Sequence, residues 1–114
     1  MTFNIPVNEE NVYYRYLAAI NGMLGLSNKE MLVLSEFLKY HVEYKDPEVA
    51  ITAVTRKRVQ DKFMMSAYNV NNVITSLKKK KAIMKNDKSL VITSSIVPKL
   101  VNGNIIVTIN FNAL

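Results

Sequence analysis

The chain has 114 residues, of which 49% are hydrophobic and 21% charged, and its formal net charge is +6. This length and composition favour one globular domain, residues 1–114, and argue against disorder. The absence of cysteine excludes disulfides and thiolate metal sites, and no apolar run approaches the roughly 20 residues that span a bilayer. Because the N-terminus also lacks the basic and apolar pattern of a signal peptide, we expect a cytoplasmic protein without membrane contact.

The pattern of residues 1–25 predicts a strand followed by a helix. Apolar and polar residues alternate over residues 2–7, and Pro6 favours a place at a sheet edge or a strand end. Residues 9–24 have the spacing of apolar side chains that gives a helix one buried face. That face would carry Val12, Tyr16, Ala19, Ile20 and Met23.

A second helix, predicted over residues 28–43, begins at a capping box in which Ser27 and Glu30 bond each other's backbone amides. Its core-facing side would carry Met31, Leu34, Phe37, Leu38 and Val42. Asp46 followed by Pro47 is typical of a helix start, so we expect a short helix over residues 47–53.

Residues 55–79 predict two helices joined by a tight turn, a helix-turn-helix pattern. The first would begin after Thr55 and bury Val59 and Phe63. Ser66 is a favourable N-cap for the second, residues 67–79. In this second helix the apolar residues at i, i+3, i+4 and i+7 predict one buried stripe, formed by Val70, Val73, Ile74 and Leu77.

The opposite side of the second helix is polar and suits a DNA-reading surface. Asparagine can bond adenine through two hydrogen bonds in the major groove, and it is a mediocre helix former, so propensity does not explain three of them. Base-edge contacts are therefore expected from Asn69, Asn71, Asn72 and Thr75. Phosphate contacts are expected from Arg56, Arg58, Tyr68, Lys78, Lys79, Lys85 and Lys88. The alternative is an ordinary solvated helix face.

The charge distribution supports the DNA-reading interpretation. Residues 55–88 contain ten Lys or Arg and two Asp, a net charge of +8, whereas the rest of the chain carries five basic and seven acidic residues. Positive charge concentrated on one unit is the usual electrostatic footprint of a protein that approaches nucleic acid.

After the second motif helix, residues 82–85 and 89–93 predict a hairpin with its turn at residues 86–88. Asn102 and Gly103 predict a further turn, and residues 104–112 alternate as a strand. The partner of that last strand is left open: residues 96–101, residues 2–7 or a second subunit would each suit it.

Two short runs carry a resemblance to a known family. Residues 26–34, Leu-Ser-Asn-Lys-Glu-Met-Leu-Val-Leu, and residues 77–83, Leu-Lys-Lys-Lys-Lys-Ala-Ile, resemble the opening helix and the wing entry of small winged helix-turn-helix DNA-binding proteins of phages, plasmids and bacterial regulators. Lys81 stands where many members carry Gly. The resemblance covers residues 26–95 and implies an α+β, mostly helical fold, with a winged helix-turn-helix core and a β-hairpin wing. Residues 1–25 and 96–114 add terminal strands.

The resemblance and the residues together predict sequence-specific binding of double-stranded DNA by a small phage- or plasmid-type transcription or replication regulator. It would act in the host cytoplasm if viral and form a homodimer or higher oligomer through its terminal segments. No cofactor, metal or small-molecule substrate is expected. With one His, no Cys, no nucleophile elbow and no phosphate loop, the chain predicts a non-enzyme. The alternative is a virion structural or assembly protein, whose last strand would extend a neighbouring subunit's sheet.

Overall fold

The computed structural model describes residues 2–6, 11–101 and 104–108, and within them the protein is α+β and mostly helical. In chain order the elements are β1 (Thr2–Pro6), α1 (Val12–Leu24), α2 (Asn28–Tyr44), a 3-10 helix (Pro47–Val49), α3 (Ala53–Phe63), α4 (Ala67–Lys79), β2 (Ile83–Asn86), β3 (Ser89–Ile92), β4 (Leu100–Val101) and β5 (Asn104–Thr108). No helix among these residues is both long and apolar enough to cross a membrane.

Helix α2 lies at the centre of the hydrophobic core. Its side chains Leu34, Phe37 and Leu38 are completely buried, as the helical spacing predicts. The core extends to α1, α3, α4, β2 and β5 through the fully buried side chains Leu17, Val59, Val70, Leu77, Ile83 and Ile105. The sequence prediction for α1 is wrong at Met23, which is 69% exposed. Periodicity shows which side of a helix faces the core, but not how far along the helix the core extends.

Helix α3 begins three residues earlier than the sequence predicts. Its N-cap is Thr52, whose Oγ1 accepts the N–H of Thr55 at 3.2 Å, while the Thr55 Oγ1 accepts the N–H of Thr52 at 2.8 Å. Thr55 is therefore the third residue of the helix and half of a reciprocal cap. The short helix predicted over residues 47–53 spans Pro47–Val49 in the structure. It ends there because Ile51 forms an antiparallel bridge with Leu90 of β3, which holds this segment extended.

The end of α4 shows how the chain turns without glycine. Lys81 has a φ of 63° and its N–H donates to the Lys78 carbonyl, while the Ala82 N–H donates to the Leu77 carbonyl, each at 3.0 Å. These two bonds form a Schellman motif, which places one residue in the left-handed region. A lysine there carries a steric cost that glycine avoids.

Two antiparallel sheets complete the fold. Strands β2 and β3 form the predicted hairpin, with Asn86 paired to Ser89 and Asp87 and Lys88 at the turn. In the other sheet β5 lies between β1 and β4, so it pairs with both of the intrachain candidates that the sequence left open. The predicted turn at Asn102 and Gly103 and the continuation over 109–112 lie outside the described residues.

Candidate nucleic-acid interface

Helix α4 presents the polar face that the sequence predicts. It spans the expected residues, the Ser66 hydroxyl caps it by accepting the Asn69 N–H at 3.1 Å, and its four apolar stripe residues are buried. The polar side chains opposite the stripe are exposed: Tyr68, Asn69, Asn71, Asn72, Thr75, Lys78 and Lys79. Within the described part of the chain the side-chain amides of the three asparagines make no hydrogen bond, so they are free to bind a ligand.

These side chains do not all point the same way. At 100° per residue, the side chains of Tyr68, Asn72, Thr75 and Lys79 fall within about 60° of one another, directly opposite the buried stripe. Asn71 and Asn69 lie about 160° apart on the two flanks. Asn69 and Asn72 line a shallow groove shared with Ser27 and Lys29 of α2. The predicted base-contacting set therefore has a central ridge and two sides.

Several cations of α3 are already engaged by the protein. The Arg58 guanidinium lies over the Tyr40 ring, 5.2 Å from its centroid, and the Lys57 Nζ lies 3.2 Å from the Asp61 carboxylate. Arg56 is half-buried, and its Nε has no hydrogen-bond partner among the described residues. Of the two arginines predicted to contact phosphates, Arg58 is therefore held by an aromatic ring and Arg56 is partly removed from water.

The run of four lysines is divided by the fold. Three of the four are exposed at the end of α4: Lys78, Lys79 and Lys81. Two further exposed lysines, Lys85 and Lys88, follow a few residues later in the hairpin. The Lys80 Nζ instead donates to the Glu30 carboxylate at 2.6 Å and to the Gly25 carbonyl at 2.9 Å. Lys80 thus joins α4 to the start of α2, a role that its position within a lysine run does not reveal.

Glu30 is the centre of this contact. Its carboxylate also accepts the Ser76 hydroxyl at 2.6 Å and the Ser27 N–H at 2.8 Å. Burial alone would raise the pKa of Glu30, but the hydrogen bonds from Lys80, Ser76 and Ser27 outweigh it and lower this pKa to about 2. At neutral pH the carboxylate is therefore ionised and fixes α4 against α2.

A second buried glutamate of α2 contacts α3. The Lys62 Nζ lies 2.5 Å from the Glu36 carboxylate, and that glutamate is 6% exposed. Helices α3 and α4 are thus each attached to α2 through one of its buried glutamates.

The one histidine of the chain, His41, lies in the last turn of α2. Burial lowers the pKa of His41, with Asp46 acting in the opposite direction. No cluster of three or more His, Asp or Glu within the described ranges is placed to hold a metal ion.

Comparisons of the chain with protein-family models, with curated proteins and with solved structures found no match.

Proposed function

We propose that the protein binds double-stranded DNA with sequence preference through α4, as a small transcription or replication regulator of phage or plasmid type. The observation that carries this proposal is the exposed amide and hydroxyl face of α4, followed directly by the exposed Lys78, Lys79 and Lys81. Amides read base edges and lysines neutralise phosphates, which is the division of labour in a DNA interface.

The order of elements supports a winged helix-turn-helix. Helix α2, the extended bridge at Ile51, helices α3 and α4 and the β2–β3 hairpin follow one another in the order of that fold. In this arrangement α4 lies in the major groove and the hairpin is the wing. Lys85 and Lys88, both exposed, then contact the phosphates beside the adjacent minor groove.

A virion structural or assembly role is the second candidate function. Two observations favour a protein partner: Met64 in the α3–α4 turn is 94% exposed, and β1 and β4 are the outer strands of their sheet. The position of β5 favours the regulator instead, because the strand expected to extend a neighbour's sheet is the central strand of its own. A homodimer through the terminal segments is compatible with either role.

The proposal is tested by fluorescence anisotropy with a library of random 20-base-pair duplexes at several salt concentrations, followed by sequencing of the bound fraction. We expect salt-dependent binding and an enriched motif. Lys79→Ala should weaken all sequences alike and reduce the salt slope by about one unit. Asn72→Ala should instead relax the preference at one base pair by about 1 to 3 kcal/mol.

Lys57→Ala is the matched control, because Lys57 is already paired with Asp61 and lies on α3, outside α4. It should change the slope less than Lys79→Ala does. Absence of binding at low salt would reject DNA as the partner and favour the assembly role. Binding without an enriched motif would reject sequence reading and leave a packaging function.

A further inference from the structure

The residues on the central ridge of α4 have a restricted chemistry. From its first turn towards its C-terminus the ridge presents a phenol, an amide and a hydroxyl, those of Tyr68, Asn72 and Thr75. Helix α4 contains no Arg, Asp or Glu, and its two lysines are in the last turn. Base edges are contacted mainly from the N-terminal part of a recognition helix. The part of α4 that would read bases therefore lacks an arginine for guanine and a carboxylate for cytosine.

Tyr68 is an aromatic residue for which the described part of the fold provides no hydrogen-bond or ring partner. Its side chain is 74% exposed, and within the described residues its hydroxyl makes no hydrogen bond. The sequence predicts a phosphate contact for Tyr68. At 100° per residue, however, the Tyr68 and Thr75 side chains point in nearly the same direction, opposite the buried stripe. In a helix that lies in the major groove, this direction is towards the base edges. An aromatic ring in the major groove meets one apolar group on the base edges, the C5 methyl group of thymine.

We propose that α4 reads A·T base pairs, with the Tyr68 ring against a thymine methyl group and the Asn72 amide on N6 and N7 of an adenine. This inference rests on the proposed DNA-binding function and specifies its target class. Thr75 donates its hydroxyl hydrogen to the Asn71 carbonyl at 3.0 Å, so its oxygen is left to accept from a base amino group. Adenine N6 and cytosine N4 both suit this acceptor, so the choice of A·T rests on Tyr68 and Asn72.

The test uses the duplex selected from the random library and chemically edited copies of it. In one series each thymine is replaced singly by uracil, which removes only the methyl group. In the other each adenine is replaced by 7-deazaadenine, which removes only the N7 acceptor. We expect one uracil substitution to weaken the wild-type complex about fourfold, the factor for one methyl group no longer buried.

Tyr68→Ala should abolish this uracil penalty, whereas Tyr68→Phe should retain it because the ring remains. Asn72→Ala should likewise abolish the 7-deazaadenine penalty at one position and leave the uracil penalty intact. Lys78→Ala is the matched control, since it should weaken every duplex and leave both ratios unchanged. All of these side chains are exposed, so the variants should fold.

Enrichment of a G·C core, or a uracil penalty that persists in Tyr68→Ala, would overturn the inference. Binding without an enriched motif would overturn it too, while leaving DNA binding itself in place. Absence of any binding at low salt would instead reject the proposed function, so the two failures are distinguished by the first measurement.

Discussion

Two glutamates on α2, Glu30 and Glu36, are similarly buried and each contacts a lysine, Lys80 at the end of α4 or Lys62 on α3, yet their surroundings differ. Glu30 accepts hydrogen bonds from Lys80, Ser76 and the Ser27 amide, whereas within the described residues Glu36 accepts one, from Lys62. The lysine side chains differ as well, because that of Lys80 is 37% exposed and that of Lys62 is 51% exposed.

The difference shows that burial and an opposite charge do not by themselves determine how much a carboxylate contributes. Removing a carboxylate from water costs free energy, and a single ion pair to a half-exposed lysine recovers only part of it. Additional hydrogen bonds stabilise the charged form further. Glu30 has those bonds, so the contact of α4 with α2 should be stronger than the contact of α3 with α2.

The largest effect is expected for Glu30→Gln. The amide is uncharged, so the charge-assisted bond with Lys80 is lost, and the Ser76 hydroxyl must turn to accept from the new NH2 group. The free energy of unfolding should therefore fall by about 2 kcal/mol. Urea denaturation at pH 7 measures this. A change below about 0.5 kcal/mol would show that Lys80 and Ser76 are satisfied equally well by water.

The free energy that Glu30 contributes to stability should depend on pH, and Glu30→Gln tests this. Because the pKa of Glu30 is lower in the folded protein than its usual value of 4.5, its stabilisation is fully present above that value and is lost as the pH falls towards 2. The difference in unfolding free energy between the wild type and Glu30→Gln should therefore shrink over this interval. A difference that stays constant from pH 5 to pH 2 would contradict the ionised hydrogen-bonded carboxylate.

Glu36→Gln provides the matched comparison and should cost about 1 kcal/mol, because Lys62 can return to solvent and one hydrogen bond is weakened rather than three. Denaturation under the same conditions gives the value. An effect as large as that of Glu30→Gln would mean that the ion pair, and not the number of hydrogen bonds, decides the contribution.

The smallest effect is a gain in stability at the end of α4, next to Lys80. Lys81→Gly removes the steric cost of a side chain at a φ of 63° and should raise the free energy of unfolding by about 0.5 to 1 kcal/mol. Lys79→Gly removes the same charge from the last residue of α4, which has a helical conformation, and should lower it by about 0.5 kcal/mol. Opposite signs for the two lysine-to-glycine variants, measured by thermal unfolding, would sharpen the assignment of the helix end.

Local pattern predicted much of the helical unit. The bounds of α4, the Ser66 cap, the Ser27–Glu30 capping box and the hairpin all depend on residues within about four positions of one another, or on apolar spacing with one dominant period. Such signals can be recognised in the sequence because the interactions that produce them lie within one helical turn or one strand pair. The exposure of the predicted base-contacting residues follows from the same spacing.

The sequence by itself thus determined helix α4, most of α3, the polar face of α4 and the concentration of positive charge around it. The tertiary structure alone decided that Lys80 turns inward to Glu30, that the Arg58 guanidinium lies over the Tyr40 ring, and that β5 lies between β1 and β4. Apart from the local pairing of β4 with β5, these contacts join residues that are about 20 to 100 positions apart in the chain. No local spacing encodes them, because many lysines, tyrosines and strands would suit each partner equally until the packing of α2 brings one of them close.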